Sequence, residues 1–556
     1  MTSANLVILN ASVLTMDAAT PAARAVAVAG NRILAVGDDD DIRALAAPDA
    51  RVIDAGGATV MPGMTEAHLH LFSGAFGRRL LQLDGVQGQA ALAAKLVPYA
   101  AANPDEALLI CKAADYNLFG EGVATTRLML DGVMPDRPLI LIAGDHHTAW
   151  ANTVALDRAG LLRGRDLSPG NEIVMASDGT ASGELREFEA YDPVMQLRSS
   201  GGRENLGLVG VEPETPPTPA QRADDIAVLE DGLRLCASYG FTSLHNMDGN
   251  RYQLDLLREI ENRGNLICRT EVPFHLTPSK PLDTLEEAEA LAQEFNGDFL
   301  RAGRVKMFMD GVIDSSTAVL IEDYADRPGW RGEPLHSAER FNAAAIDADR
   351  RGLQVSVHAI GDGAVRRVLD GYEAAQQANG PRDSRHRIEH IELLHPDDLP
   401  RLKSLGVVAS MQPPHPPGAM DFPLDPWTSR IGHGRWPWAF PLEYLREAGV
   451  PIAFASDWPV SDIDPMRGVK AAITRKPWHP DHPSHASTLM QALHGYTAGG
   501  AYAGFEDHRL GRLAPGFLAD IVVMDRDLEA TPVEDLDKAR AALTLCDGRV
   551  TWDAAG

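Results

Sequence analysis

The sequence predicts an α/β fold: a (β/α)8 TIM-like barrel, a small β-sandwich domain formed by both chain termini, and an insertion after barrel strand 1. Three observations carry this expectation. The middle of the chain alternates short apolar runs with helical patterns, as a parallel sheet with crossover helices does. Eight such runs are present, the number that closes a barrel of this type. Both ends carry β-like runs separated by turn residues.

In order, residues 5–60 hold the runs 6–9, 25–28 and 32–36, punctuated by Gly30-Asn31 and Gly37, which predicts a small antiparallel sheet. The acidic run Asp38 to Asp41 reads as a solvated turn, because a calcium loop spaces its ligands differently. The first barrel strand is expected over 58–70. The next lies too far on for one loop, so residues 71–217 form an inserted subdomain that ends in the Pro-rich stretch 213–217. Within it, His146 and His147 follow the strand-like run 138–142, where they face a substrate or cap the strand. Thr218 and Pro219 supply the N-cap and first position of a helix that Gly240 stops. The remaining barrel strands are expected at 241–246, 268–275, 304–309, 354–359, 386–391, 407–412 and 451–456. Runs 516–524 and 542–550, the latter with a turn at Asp547-Gly548, return to the β pattern. The expected domains are 1–57 with 505–556, and 58–504.

Composition narrows the function. A 556-residue chain with 45% apolar residues supports a full core, and a net charge of −27 disfavours nucleic acid and anionic membranes as partners. Cys111, Cys236, Cys268 and Cys546 are dispersed and form no Cys-x-x-Cys pair, which fits a reducing cytoplasm. No signal-peptide pattern opens the chain, and no run approaches the ~20 apolar residues of a membrane span. The expectation is a cytoplasmic protein acting on a small molecule, with a homodimer as the default assembly.

The chemistry lies at the C-terminal ends of the strands. His68 and His70 are two apart, so on a strand both imidazoles point the same way. Lys306, His358, His390 and Asp457 stand at or just beyond the ends of four other runs. Six metal-competent groups at the functional ends of five strands predict a metal site. Asp310, four residues after Lys306, positions the site or the substrate, or caps a helix; Trp458 follows Asp457 and joins the substrate-binding candidates. The His-Pro segments 413–417 and 478–485 wall the pocket or merely stiffen loops.

On these residues the chain resembles the amidohydrolase superfamily of metal-dependent hydrolases, and more closely its amidohydrolase-3 branch. The motifs that carry the resemblance are residues 31–37, 62–70, 178–183, 306–311, 357–362, 387–390, Ser456-Asp457 and 513–520. The resemblance implies that His68, His70 and Asp457 bind one ion and that His358 and His390 bind a second. Lys306, carboxylated by CO2, would bridge them, since an ammonium has no lone pair to offer. It further implies one or two zinc ions, with Asp457 as proton shuttle and His390 and His358 as catalytic helpers. The expected reaction is hydrolysis of a non-peptide C–N bond, in an amide, N-acyl or N-formyl amine. A deaminase or an ester or lactone hydrolase would use the same site, and a catalytically silent scaffold would have lost some of the six groups. One departure is Glu66, where relatives more often carry Asp; its extra methylene alters the support of the first ligands.

Overall fold

The computed structural model describes residues 3–144, 148–167, 171–420 and 422–556. The chain divides into two compact units: Met1–Leu71, Gly207–Glu214 and Arg222–Gly556 form the first, Phe72–Leu206 and Thr215–Gln221 the second.

In the first unit, eight parallel strands pair in chain order. Met64–Leu69 lies beside Phe241–Asn246, which lies beside Arg269–Glu271. That third strand resumes as Phe274–His275 and pairs with Arg304–Phe308. Gln354–Ala359, Arg387–His390, Val408–Met411 and Ile452–Phe454 follow. A parallel bridge between Leu69 and Trp458 joins the last strand to the first. The run 268–275 is interrupted at Pro273, which has no amide to give a neighbouring strand. Helices alternate with the strands, among them Arg251–Asn262, Ala338–Arg350, Asp362–Asn379 and Pro465–Thr474. The helix Pro219–Ser238 starts as its sequence predicts: Thr218 and Gln221 each bond the other's backbone amide.

The run 58–70 is two strands rather than one. Thr59–Pro62 pairs antiparallel with Ile521–Met524 and parallel with Ser12–Leu14, and only Met64–Leu69 joins the eight-stranded set. Gly63 makes the change of partner possible. Its amide donates to the Asp520 carbonyl at 2.8 Å, and a Cβ there would overlap the Thr242 side chain.

Both chain ends build two further sheets. One orders Arg32–Gly37, Ala25–Ala29, Ala4–Leu9 and Ala46–Asp54; the last pair is parallel, so this sheet is mixed rather than antiparallel throughout. The other is six-stranded and runs from Arg549–Asp553 to Ala22–Ala23. Ile8, Val26 and Val28 of the first share one core with Val60, Ile521 and Leu545 of the second. The turn at Asp547-Gly548 has both residues at positive φ, 56° and 72°, as a two-residue hairpin requires. Asp39 to Asp41 form the first turn of the helix Asp39–Ala44 rather than a solvated turn; acidic side chains are favourable at that end of the helix dipole.

The second unit is built on a six-stranded sheet that includes Leu109–Ala114, Leu139–Ala143, Thr148–Ala151 and Ala181–Arg186. His146 and His147 lie outside the described residues. All four cysteines are free and buried. No described helix is long and apolar enough to cross a membrane.

Gly63→Ala is expected to destabilise the protein by about 1–3 kcal/mol, because the new methyl must displace Thr242 where two sheets meet. An unchanged unfolding transition in thermal or urea melts would show that this junction has slack.

Candidate metal centre

His68 sits one residue from the end of its strand and His70 just past it, so strand alternation aims both rings to the same side. Glu66 shares that side. Its Oε1 accepts the backbone amides of His68 at 3.3 Å and Ser456 at 2.9 Å, tying the first strand to the segment that carries Asp457. Burial pushes the Glu66 carboxyl up to about 8. His390 and Asp457 both hold positive φ, 78° and 60°, a conformation non-glycine residues keep only where their surroundings fix them.

Four imidazoles each have one nitrogen committed to a protein acceptor. His68 Nδ1 meets Glu389 Oε2 at 2.7 Å, and His70 Nδ1 meets Asp248 Oδ1 at 2.7 Å. His390 Nδ1 meets Gln412 Oε1 at 2.9 Å, and His358 Nε2 meets the Gly311 carbonyl at 3.1 Å. A ring that donates from one nitrogen keeps a lone pair on the other, the arrangement metal-binding histidines have. Two of those free nitrogens converge on one carboxylate oxygen: Asp457 Oδ1 is 3.3 Å from His68 Nε2 and 3.2 Å from His70 Nε2. That oxygen is buried and has no hydrogen-bond partner. Ligand atoms of His68, His390 and Asp457 all lie within 4.8 Å of one another, and the His358 and His390 rings are 4.6 Å apart.

The electrostatics ask for a cation. Burial works against protonation of His70, yet Asp248 and Asp457 together raise it to about 9. For Asp457, burial is likewise outweighed, and His68, His70 and His390 hold its carboxyl below the usual range. Burial and the Lys306 ammonium lower His358 to about 3, which keeps its lone pair free. The donors present, imidazoles and carboxylates around an unpaired buried oxygen, fit a divalent ion, which would take the place of the proton on His70.

Lys306 is buried, its Nζ 4.9 Å over the Phe308 ring and without a hydrogen-bond partner; burial brings it down to about 8. Asp310 is a loop staple rather than a substrate contact or a helix cap. Its two oxygens accept the amides of Val319, Ile360 and Gly361 at 2.8, 3.0 and 3.0 Å, a set that fixes the backbone just past His358. Trp458 is 7% exposed; its carbonyl takes the His70 amide at 2.7 Å, and a parallel bridge pairs it with Leu69.

Sequence reading passed over the groups behind the ligands. Arg387 and Glu389 are fully buried and bonded to each other at 2.9 Å through two pairs of atoms. Arg387 also donates to the Ala67 carbonyl at 2.7 Å and Ser410 Oγ at 2.9 Å, and stands 3.0 Å from His245 Nδ1. Ser356 Oγ donates to Glu389. The available signal was alternation: Arg387 and Glu389 share a face on one strand. His415, in the segment read as a pocket wall or a stiff loop, stacks on His390 with centroids 5.9 Å apart. Its Nε2 is buried, unbonded and 4.0 Å from Asp457 Oδ2.

Residues 51–552 match the model of a family described as "Amidohydrolase family". The chain is 31% identical to Protein LONG AFTER FAR-RED 3 of Arabidopsis thaliana, over 94% of this chain and 87% of that one. It is 27% identical to N-substituted formamide deformylase of Arthrobacter pascens over 99% of both chains. A solved structure titled as an uncharacterized metal-dependent hydrolase from Pyrococcus furiosus superposes with a TM-score of 0.72 at 27% identity, covering 93% of this chain and 98% of that one.

Glu389→Gln should weaken divalent-metal affinity by about 10–100-fold while the far-UV spectrum stays unchanged, because His68 loses its carboxylate partner. Undiminished metal uptake in a titration would show that Glu389 serves Arg387 alone.

Proposed function

The chain belongs to the amidohydrolase family and is a hydrolase acting on carbon–nitrogen bonds; from that premise we propose that it cleaves linear amides, with N-acyl or N-formyl amines as the substrate class. The observation that carries this reading is the convergence of His68 and His70 on one buried, unpaired oxygen of Asp457, with a His390 ligand atom within 4.8 Å of those of His68 and Asp457. Similarity to a formamide deformylase across the whole length of both chains supports the substrate class.

In this reading the eight parallel strands are a closed (β/α)8 barrel, the two terminal sheets a β-sandwich, and the ligands sit at the C-terminal strand ends. His68, His70 and Asp457 would hold one zinc ion, and His358 and His390 a second, with Lys306 carboxylated between them. The buried Nζ without a partner supports that modification. Zinc bound here would polarise the scissile carbonyl and acidify the attacking water. Asp457 accepts the water's proton and delivers it to the leaving nitrogen, general base first and general acid second. Glu389 and Asp248 hold the His68 and His70 rings in place throughout. His415 Nε2 is placed to donate to the substrate carbonyl oxygen, since no protein acceptor claims it.

Asp457→Asn is expected to lower kcat by about 10²–10⁴-fold on an N-formyl or N-acetyl amine. His68→Ala and Lys306→Ala should lose part or all of the bound metal measured by mass spectrometry. Amine release that survives complete removal of metal by a chelator would overturn the mechanism, and ammonia as the product from a ring-amino substrate would replace the amidase reading with a deaminase.

A further inference from the structure

Outside the candidate centre, three histidines meet on a surface formed by two sequence-distant segments. His433 opens the short helix His433–Trp438, and His479 and His482 lie on the loop after the helix Pro465–Thr474. Ring centroids are 4.9 Å apart for His433 and His479, 4.8 Å for His433 and His482, and 5.2 Å for His479 and His482. One ligand nitrogen from each lies within 4.8 Å of the other two. We propose that His433, His479 and His482 form a second metal site, which takes one transition-metal ion of the zinc class and clamps the two segments together.

Two further observations point to a ligand. His482 Nδ1 is buried and has no hydrogen-bond partner, although its ring packs against two other polar rings. A buried imidazole nitrogen left unpaired costs free energy unless something binds it. The segments are also held in register independently of any ion. Trp478 Nε1 donates to the Pro417 carbonyl at 2.9 Å, its ring lies 5.1 Å from Trp427, and Arg475 donates to the Ala439 carbonyl at 2.8 Å. His479 and His482 are joined by a turn closed by a 3.1 Å backbone bond, with Pro480 and Pro483 stiffening it. The loop segments are thus preorganised, and modest ring rotations suffice to bring the three nitrogens onto one ion.

The donor set selects the metal. Three imidazoles and no thiolate suit Zn2+, Cu2+ or Ni2+, whereas Mg2+ and Ca2+ require oxygen ligands. His479 Nδ1 accepts the Asp481 backbone amide at 3.3 Å, and the Asp481 carboxylate lies 3.6 Å from the same nitrogen, so the turn itself holds the His479 ring beside the other two. His433 is exposed and the other two half-buried, so the fourth position faces solvent and the site loads without unfolding.

The test uses the full-length protein with its catalytic centre loaded as purified, equilibrated with free Zn2+ at about 10 μM, a level that reports micromolar or tighter affinity. Mass spectrometry of bound zinc should count one more equivalent per chain in wild type than in a His433→Ala/His479→Ala double variant. Added Zn2+ should raise Tm in wild type and leave the variant's Tm unmoved. Crystals soaked in Zn2+ should show an anomalous peak among the three rings. Equal zinc counts in the two proteins, or an anomalous map flat at this position, would overturn the site. The double variant leaves every residue of the catalytic proposal in place. A His68→Ala protein that still takes up the extra equivalent separates this inference from the fate of the amidase reading. If the double variant is poorly folded by far-UV spectroscopy, the single His433→Ala, at an exposed position, gives the same comparison.

Discussion

The buried ion pair between Arg387 and Glu389 is the constraint on which the centre depends. Taking two charges out of water is costly, and their attraction compensates only when every remaining donor and acceptor finds a partner. Here they do, through groups on five strands: Ala67 and His68 on the first, His245 on the second, Ser356 on the fifth, the pair itself on the sixth and Ser410 on the seventh. The network therefore fixes the register of most of the parallel set, and its outermost member is a ligand candidate. Replacing the pair with apolar residues of equal volume would keep a core, but the His68 ring would lose its orientation.

The same logic extends outward from each ring. Carboxylates behind His68 and His70, an amide behind His390 and a carbonyl behind His358 fix the rings before any ion arrives. His70 stands between two buried carboxylates, Asp248 behind its Nδ1 and Asp457 in front of its Nε2, where burial opposes every charge. That crowding is why His70 is driven up to about 9. A divalent cation relieves it more completely than a proton, since one ion replaces the positive charge and satisfies the lone pairs together.

Much of this was legible in the sequence. His68 and His358 fall one residue from a strand end, His390 at one and His70 just past one, because the alternation that marks a strand also says where it stops; Lys306 lies mid-strand and Asp457 three residues beyond its strand. The split at Gly63 was not legible: Thr59–Pro62 and Met64–Leu69 read as one apolar run, and the groups that meet Gly63 where the partners change, the Asp520 carbonyl and the Thr242 side chain, lie far along the chain. The partners of Asp310 were not legible for a related reason, since its three amide donors come from residues 9, 50 and 51 positions away. The partnership of His68 with Glu389 spans 321 positions. Local periodicity carries no information about such pairs; they are set by strand order, which emerges only once the strands assemble.

Strand ends fix the chemistry, so discrimination between substrates must come from the loops that follow them. The loop after the seventh strand is the one whose side chain reaches the reacting groups: His415 stacks on His390 and faces Asp457. Two cage-like contacts restrain that loop, Phe422 against the His415 ring at 5.4 Å and the Pro417 carbonyl against Trp478 at 2.9 Å. The second contact belongs to the segment that carries His479 and His482, so the position of His415 depends on how firmly two surface loops are joined. A small change in that junction would move the His415 ring beside Asp457 while leaving the buried Arg387–Glu389 network untouched. Relatives with the same ligands but different loop anchors would therefore share a reaction and differ in the substrates they accept.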